Sequence, residues 1–132
     1  MLYLDSGVFI YAALSREPVG IRARQLLQEV SDGNEDASSC ALTFDEVVWV
    51  VQKHRRREDS IAAGQSFLTL PNLTVLSVGQ DAVFAALSMM QRYALHPRDA
   101  IHASVAVLNG CSTIVSTDAH FDRVKKVRRN PI

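Results

Sequence analysis

Four acidic residues, Asp5, Glu46, Asp99 and Asp118, stand where an α/β chain gathers its ligands. Asp5 ends the apolar run Leu2-Tyr3-Leu4, and Glu46 precedes the run Val47 to Val51. Asp99 lies just inside the helix that Pro97 opens, and Asp118 follows Thr113 to Ser116. Taken singly, each has an ordinary explanation as a helix cap or first-turn residue, where a carboxylate satisfies free amides and the dipole. Taken together at one edge they repel, because two unit charges 4 Å apart cost about 4 kcal/mol at an effective dielectric near 20. Helix N-termini offset only part of that. A hard cation such as Mg²⁺ or Mn²⁺ prefers oxygen donors and keeps some of its waters, so a carboxylate ring without His or Cys ligands suits it. Such an ion lowers the pKa of water and stabilises a phosphoryl transition state.

The elements that must bring these acids together are legible from pattern. Leu2 to Leu4 reads as a first strand. Ala23, Leu26, Leu27 and Val30 then fall at helical spacing and predict an amphipathic helix that ends near Gly33. A second strand fits Ser39 to Leu42. The run Val47-Val48-Trp49-Val50-Val51 favours a strand by composition. However, the capping-box pattern Thr43-x-x-Glu46 before it and the polar, basic continuation Gln52 to Arg57 after it predict a helix instead. A further helix spans Asp59 to Leu70 and stops at Pro71. Leu73 to Ser77 suits a third strand, followed by the helical stripe Val83, Phe84, Leu87 and Met90.

Pro97 is well placed as a first helical residue. Ile101, Val105 and Leu108 space one apolar face of that helix, while Ala103 and Ala106 make a second, so both faces are expected to be buried. Thr113 to Ser116 supplies a fourth strand and the neighbourhood of Val127 a fifth at the sheet edge. Short apolar strands alternating with helices imply an α/β fold in three layers, α/β/α, around a central parallel sheet of four to five strands. In such sheets ligands bind beyond the carboxyl ends of the strands, the edge to which all four acids map.

Length and composition bound what the chain can be. At 132 residues it is sized for one compact domain, 1–132, which excludes an enzyme built around an interdomain cleft. A hydrophobic share of 48% with 21% charged residues excludes a disordered chain. Cys40 and Cys111 form no CxxC, which excludes a zinc knuckle or a thioredoxin-like pair and leaves both as buried thiols. Met1 to Leu14 lacks a basic start and a cleavage site, and no later apolar run reaches the roughly 18 residues of a membrane span, so a soluble cytoplasmic protein without membrane contact is expected. The net charge of zero argues against a nucleic-acid binder until the distribution is considered. Basic residues cluster at Lys53, Arg55, Arg56 and Arg57 and again at Arg123, Lys125, Lys126, Arg128 and Arg129. Both clusters suit solvated helix ends, and both could also track a phosphate backbone.

Four segments carry a family resemblance: Leu4-Asp5-Ser6, Thr43-x-x-Glu46, Arg98-Asp99-Ala100-Ile101-His102-Ala103 and Ser116-Thr117-Asp118-Ala119-His120-Phe121. In order and over the whole chain they resemble the motifs of PIN domains, the third being the most specific. The resemblance implies an endoribonuclease that binds Mg²⁺ or Mn²⁺ through Asp5, Glu46, Asp99 and Asp118, with Ser116 and, more weakly, Ser6 as supporting hydroxyls. The short members of the family that this chain resembles are VapC toxins, which implies an RNA substrate, a homodimer and a small inhibitory antitoxin protein. Two positions depart from the pattern: Gly7 replaces a small polar residue and His120 replaces a further acid. His102 reads as a hydrogen-bonded histidine of a packed helix, Asp122 as a surface acid, and Trp49 as a core or dimer contact. His54 and His96 have no partner at metal-ligand spacing. A catalytically silent binding module of the same fold is the alternative. Haloacid-dehalogenase phosphatases need an acid where Gly7 stands, and receiver domains need one after the third strand, where Leu76-Ser77-Val78-Gly79 has none.

Overall fold

The computed structural model describes residues 1–132. Five strands, β1 (Leu2–Leu4), β2 (Ala37–Cys40), β3 (Leu73–Leu76), β4 (Thr113–Val115) and β5 (Arg128–Asn130), form one sheet in the order β3-β2-β1-β4-β5. Every neighbouring pair is parallel. Six helices connect them: α1 (Ser6–Leu14), α2 (Pro18–Ser31), α3 (Ala41–His54), α4 (Arg57–Thr69), α5 (Gln80–Tyr93) and α6 (Pro97–Leu108). A short 3₁₀ helix, Ala119–Arg123, precedes β5.

Period-two alternation divides the core. Tyr3 and Ile114 point to the side of α5 and α6, where they meet Ala100, Ala103 and Phe121. Leu4 and Val115, one residue on, point to the other side and meet Val8, Phe9, Val47 and Phe67. With both faces covered, the central strands β1 (Leu-Tyr-Leu) and β4 (Thr-Ile-Val) are mostly apolar, as buried parallel strands are. Gly64 lets α4 close on α3, because a Cβ there would lie 2.7 Å from Val48 and 2.8 Å from Phe44. The chain leaves β1 for β2 on one side and later returns to place β4 on the other. The carboxyl ends of β1 and β4 therefore flank the point where strand order reverses.

Several expectations shift. Helix α1 carries no amphipathic signal, since Val8, Phe9, Ile10, Tyr11, Ala12, Ala13 and Leu14 leave no polar stripe, so its periodicity announces nothing. Strand β2 is Ala37–Cys40 rather than Ser39 to Leu42, because α3 already begins at Ala41. Thr43 is thus inside α3, its hydroxyl 2.8 Å from that of Ser39, and caps nothing. A capping carboxylate occurs instead at α4, where Asp59 accepts from the Arg56 backbone N–H at 3.1 Å. The stripe Val83, Phe84 and Leu87 is exposed on α5, whose buried residues are Ala82 and Ala86. Leu108 is exposed too, so the aliphatic face of α6 is not buried to its end. Trp49 is 52% exposed beneath the Lys53 ammonium, 5.1 Å from its ring centre, and is no core residue.

Candidate functional site

The site grows from the carboxyl ends of β1 and β4. Asp5 follows β1 and donates its backbone N–H to Val115 at 3.1 Å, so its carboxylate sits at the strand junction, only 7% exposed. It stands at the N-cap position of α1 without making a cap hydrogen bond, which leaves the ordinary explanation for this acid unfilled. Ser116, fully buried just past β4, donates to Asp5 Oδ2 at 2.7 Å and accepts from the Asp118 backbone N–H at 3.0 Å. One hydroxyl thereby fixes both a carboxylate and the loop carrying the next. Asp118 in turn accepts from the His120 backbone N–H at 2.9 Å, capping the 3₁₀ helix.

Asp99 lies in the first turn of α6, half-buried, where the Pro97 ring has already set the helical direction. Its carboxyl is pushed up to about 6, first by burial and then by the charges of Asp118 and Asp5. Burial likewise raises Asp5, against the opposing pull of His102 and the Ser116 hydrogen bond. Ligand atoms of Asp99, Asp118 and His120 all lie within 4.8 Å of one another. Around the mouth an open polar cleft is lined by Glu46, His96, Pro97, Arg98 and Asp99.

Glu46 reaches the same edge from the second turn of α3, not from a capping box. Its Oε2 accepts from Ser6 Oγ at 3.2 Å and its Oε1 lies 2.5 Å from His102 Nε2. His102 is completely buried on α6, one turn beyond Asp99, with Nε2 also 3.7 Å from Asp5 Oδ1 and Nδ1 2.7 Å from the Tyr3 hydroxyl. Burial alone would push this imidazole down, but contacts with Cys40 and Glu46 and the charge of Asp5 outweigh it and hold it up at about 10. His102 is therefore a cation between Asp5 and Glu46.

All four acids and both supporting serines reach one edge of the sheet. The inner partners His102 and Tyr3 go beyond a packed-helix reading. The one signal available in the sequence was the placement of His102 three residues after Asp99, one helical turn along the same face. Asp122 is exposed and paired with Arg129, as a surface acid should be. Cys40 and Cys111 are free and buried.

A parallel sheet of this order with acids at its switch point defines a class, and the chain belongs to it: the PIN domain family model matches residues 2–127. Among curated proteins it is 28% identical over 124 residues to Ribonuclease VapC7 of Mycobacterium tuberculosis (strain ATCC 25618 / H37Rv), covering 92% of this chain and 84% of that one. Its fold matches Mycobacterium tuberculosis VapC20, a Sarcin-Ricin loop cleaving toxin, with a TM-score of 0.78 at 14% identity over 95% of each chain. It also matches a chain of VapBC2 from Rickettsia felis, solved bound to a promoter DNA fragment, with a TM-score of 0.75 at 18% identity, covering 99% and 98% of the two chains.

Proposed function

We propose that this chain is a divalent-metal-dependent endoribonuclease of the VapC type, the toxin of a toxin–antitoxin pair, with Asp5, Glu46, Asp99 and Asp118 as its metal-holding acids. The observation that carries the reading is the outer acids' lack of charge compensation. Asp99 and Asp118 face each other with no lysine or arginine ion-paired to either, and Asp99 is held up at about 6. A donor set dominated by carboxylates fits Mg²⁺ or Mn²⁺. When bound, such an ion supplies Lewis acidity and a water acidic enough to be deprotonated near neutral pH.

The chain's own residues do the positioning. Ser116 holds Asp5 Oδ2 and the Asp118 loop in fixed relation, and Ser6 and His102 hold the two oxygens of Glu46. Arg98 lines the polar cleft beside Asp99 and offers its charge to an RNA phosphate. Two uncovered apolar surfaces, Val83, Phe84 and Leu87 on α5 and Trp49, Ile61 and Leu68 on α3 and α4, support an assembly of this chain with a second copy and with a small antitoxin. No helix is long and apolar enough to cross a membrane, which fits action on cytoplasmic RNA.

The test is cleavage of an RNA panel by purified protein with Mg²⁺, Mn²⁺ or EDTA, beside an Asp5→Asn control. Cleavage that needs metal and is lost in the control is expected. Cleavage that persists in EDTA would sink the metal-dependent reading, and no cleavage of any RNA would favour a silent binding module.

A further inference from the structure

The imidazole of His120 is not explained by packing. Its backbone N–H serves the 3₁₀ cap and the next residue, Phe121, fills the core, but the His120 side chain is 46% exposed. What holds it is the site itself. Its Nδ1 lies 3.0 Å from Asp118 Oδ1, and the ring of His96, at the N-cap position of α6, meets it edge to face with centroids 6.0 Å apart. Asp99 completes the group, all ligand atoms falling within 4.8 Å. Two ligands bound trans at ~2.1 Å to an octahedral ion lie ~4.2 Å apart, so small rotamer changes close the set.

We propose that His120 is a ligand of the cation held by Asp99 and Asp118, and that this nitrogen donor tilts the site toward Mn²⁺ and away from Mg²⁺. The inference rests on the metal-dependent reading above. Mg²⁺ favours oxygen donors, whereas imidazole suits borderline transition ions, which also rank higher along the divalent affinity series. A carboxylate at the same place would give an all-oxygen set and remove the preference. The inner imidazole, His102, is already occupied by Tyr3 and Glu46 and is not offered to the mouth of the site.

The experiment uses the full chain, stripped with EDTA, as wild type, His120→Asp, His120→Ala and Asp99→Asn. Calorimetric titration with Mn²⁺ and with Mg²⁺ gives the affinity ratio, and pulsed EPR of the Mn²⁺-loaded protein detects a coordinated nitrogen. Wild type is expected to show nitrogen coupling that both His120 variants lose. The Mn²⁺ over Mg²⁺ preference should fall about tenfold in His120→Asp. Absence of nitrogen coupling in wild type, its persistence in His120→Ala, or an unchanged ratio in His120→Asp would each overturn the ligand assignment while leaving the acids' role intact. If Mn²⁺ binds wild type no better than Asp99→Asn, the metal-dependent reading falls, and the His120 inference with it.

Discussion

The two halves of the site are built on opposite electrostatic terms. In the inner half, Asp5 and Glu46 are answered by protein groups: Ser116 on one, Ser6 on the other, and the buried His102 cation between them, steadied by Tyr3. In the outer half, Asp99 and Asp118 meet each other across the mouth, with the exposed His120 ring alongside and no lysine or arginine ion-paired to either. Acids of the same chemistry thus serve different ends. The inner pair is fastened into the fold, and the outer pair carries charge that no lysine or arginine pairs off. A site that had to be wholly satisfied before binding would gain little from the metal, and one wholly unsatisfied would destabilise the sheet edge.

The strongest way to break this contrast is at Asp99. Asp99→Asn removes an outer charge without a large change of shape, and RNA cleavage at saturating Mg²⁺ or Mn²⁺ should drop by about two to four orders of magnitude. The same variant should not lower the stability of the metal-free protein. Relief of repulsion with Asp118 and Asp5 should raise Tm in EDTA by a few degrees, read by thermal melts. Retained metal-dependent cleavage would refute the assignment of Asp99 to the centre.

Substitution of the inner half should do the reverse. His102→Leu leaves Glu46, Asp5 and the Tyr3 hydroxyl facing one another without the cation, and breaking a buried pair in this way costs about 3–5 kcal/mol. For a domain whose total stability is of order 5–15 kcal/mol, that is a large fraction. Urea denaturation in EDTA measures it. His120→Ala, at an exposed position, should change the same quantity by no more than about 0.5 kcal/mol. Equal costs at the two histidines would erase the distinction between the halves.

pH separates them further. Asp99 is raised from 3.8 to about 6, so over that interval the folded chain holds more protons than the unfolded one. Stability in EDTA therefore falls as pH rises through the window, and Asp99→Asn should flatten the slope. His102 is raised from 6.5 to about 10, so its stabilisation is complete below 6.5 and is lost as pH rises toward 10. His102→Leu should lack that second decline. Metal affinity should weaken as pH drops through about 6, where Asp99 takes up its proton.

Much of this arrangement was legible in the sequence, and what was not has identifiable causes. Asp5, Asp99 and Asp118 could be placed because each follows a strand end or opens a helix, and a parallel sheet sends all such positions to one edge, whereas Glu46 reaches that edge from the second turn of α3. The helix through Val47 to Val51 was readable from its polar continuation even though the capping motif invoked for its start proved to be inside it. Helix α1 was invisible because it is apolar all round. The union of Tyr3, His102 and Glu46 depends on which face of β1 meets α6 and on the depth of α3, and neither is encoded in local spacing. The exposure of Val83, Phe84 and Leu87 is a case where a correct helical stripe gives no clue to which side faces the core, since the small Ala82 and Ala86 do the packing.

The smallest effect is expected where the basic residues near β5 divide into two roles. Arg129 is not a free cation. It donates from Nε and Nη2 to Asp122 at 2.9 and 3.0 Å and from Nη1 to the carbonyl of Ser116 at 3.2 Å, buttressing the residue that holds Asp5. Lys125 and Lys126, by contrast, are exposed and make no ion pair. If they meet RNA phosphates, each removes a condensed counterion, and the logarithm of the RNA association constant should fall with the logarithm of salt by about 0.7 less per lysine replaced by alanine. Turnover at saturating RNA should stay near the wild-type rate. Arg129→Ala should act differently, lowering turnover modestly at all salt concentrations through the loosened Ser116 carbonyl, with little change in the salt slope. Kinetics of the three variants across a salt series would tell them apart. A salt slope altered by Arg129→Ala alone would mean that the phosphate contact lies at the buttress and not at the lysines.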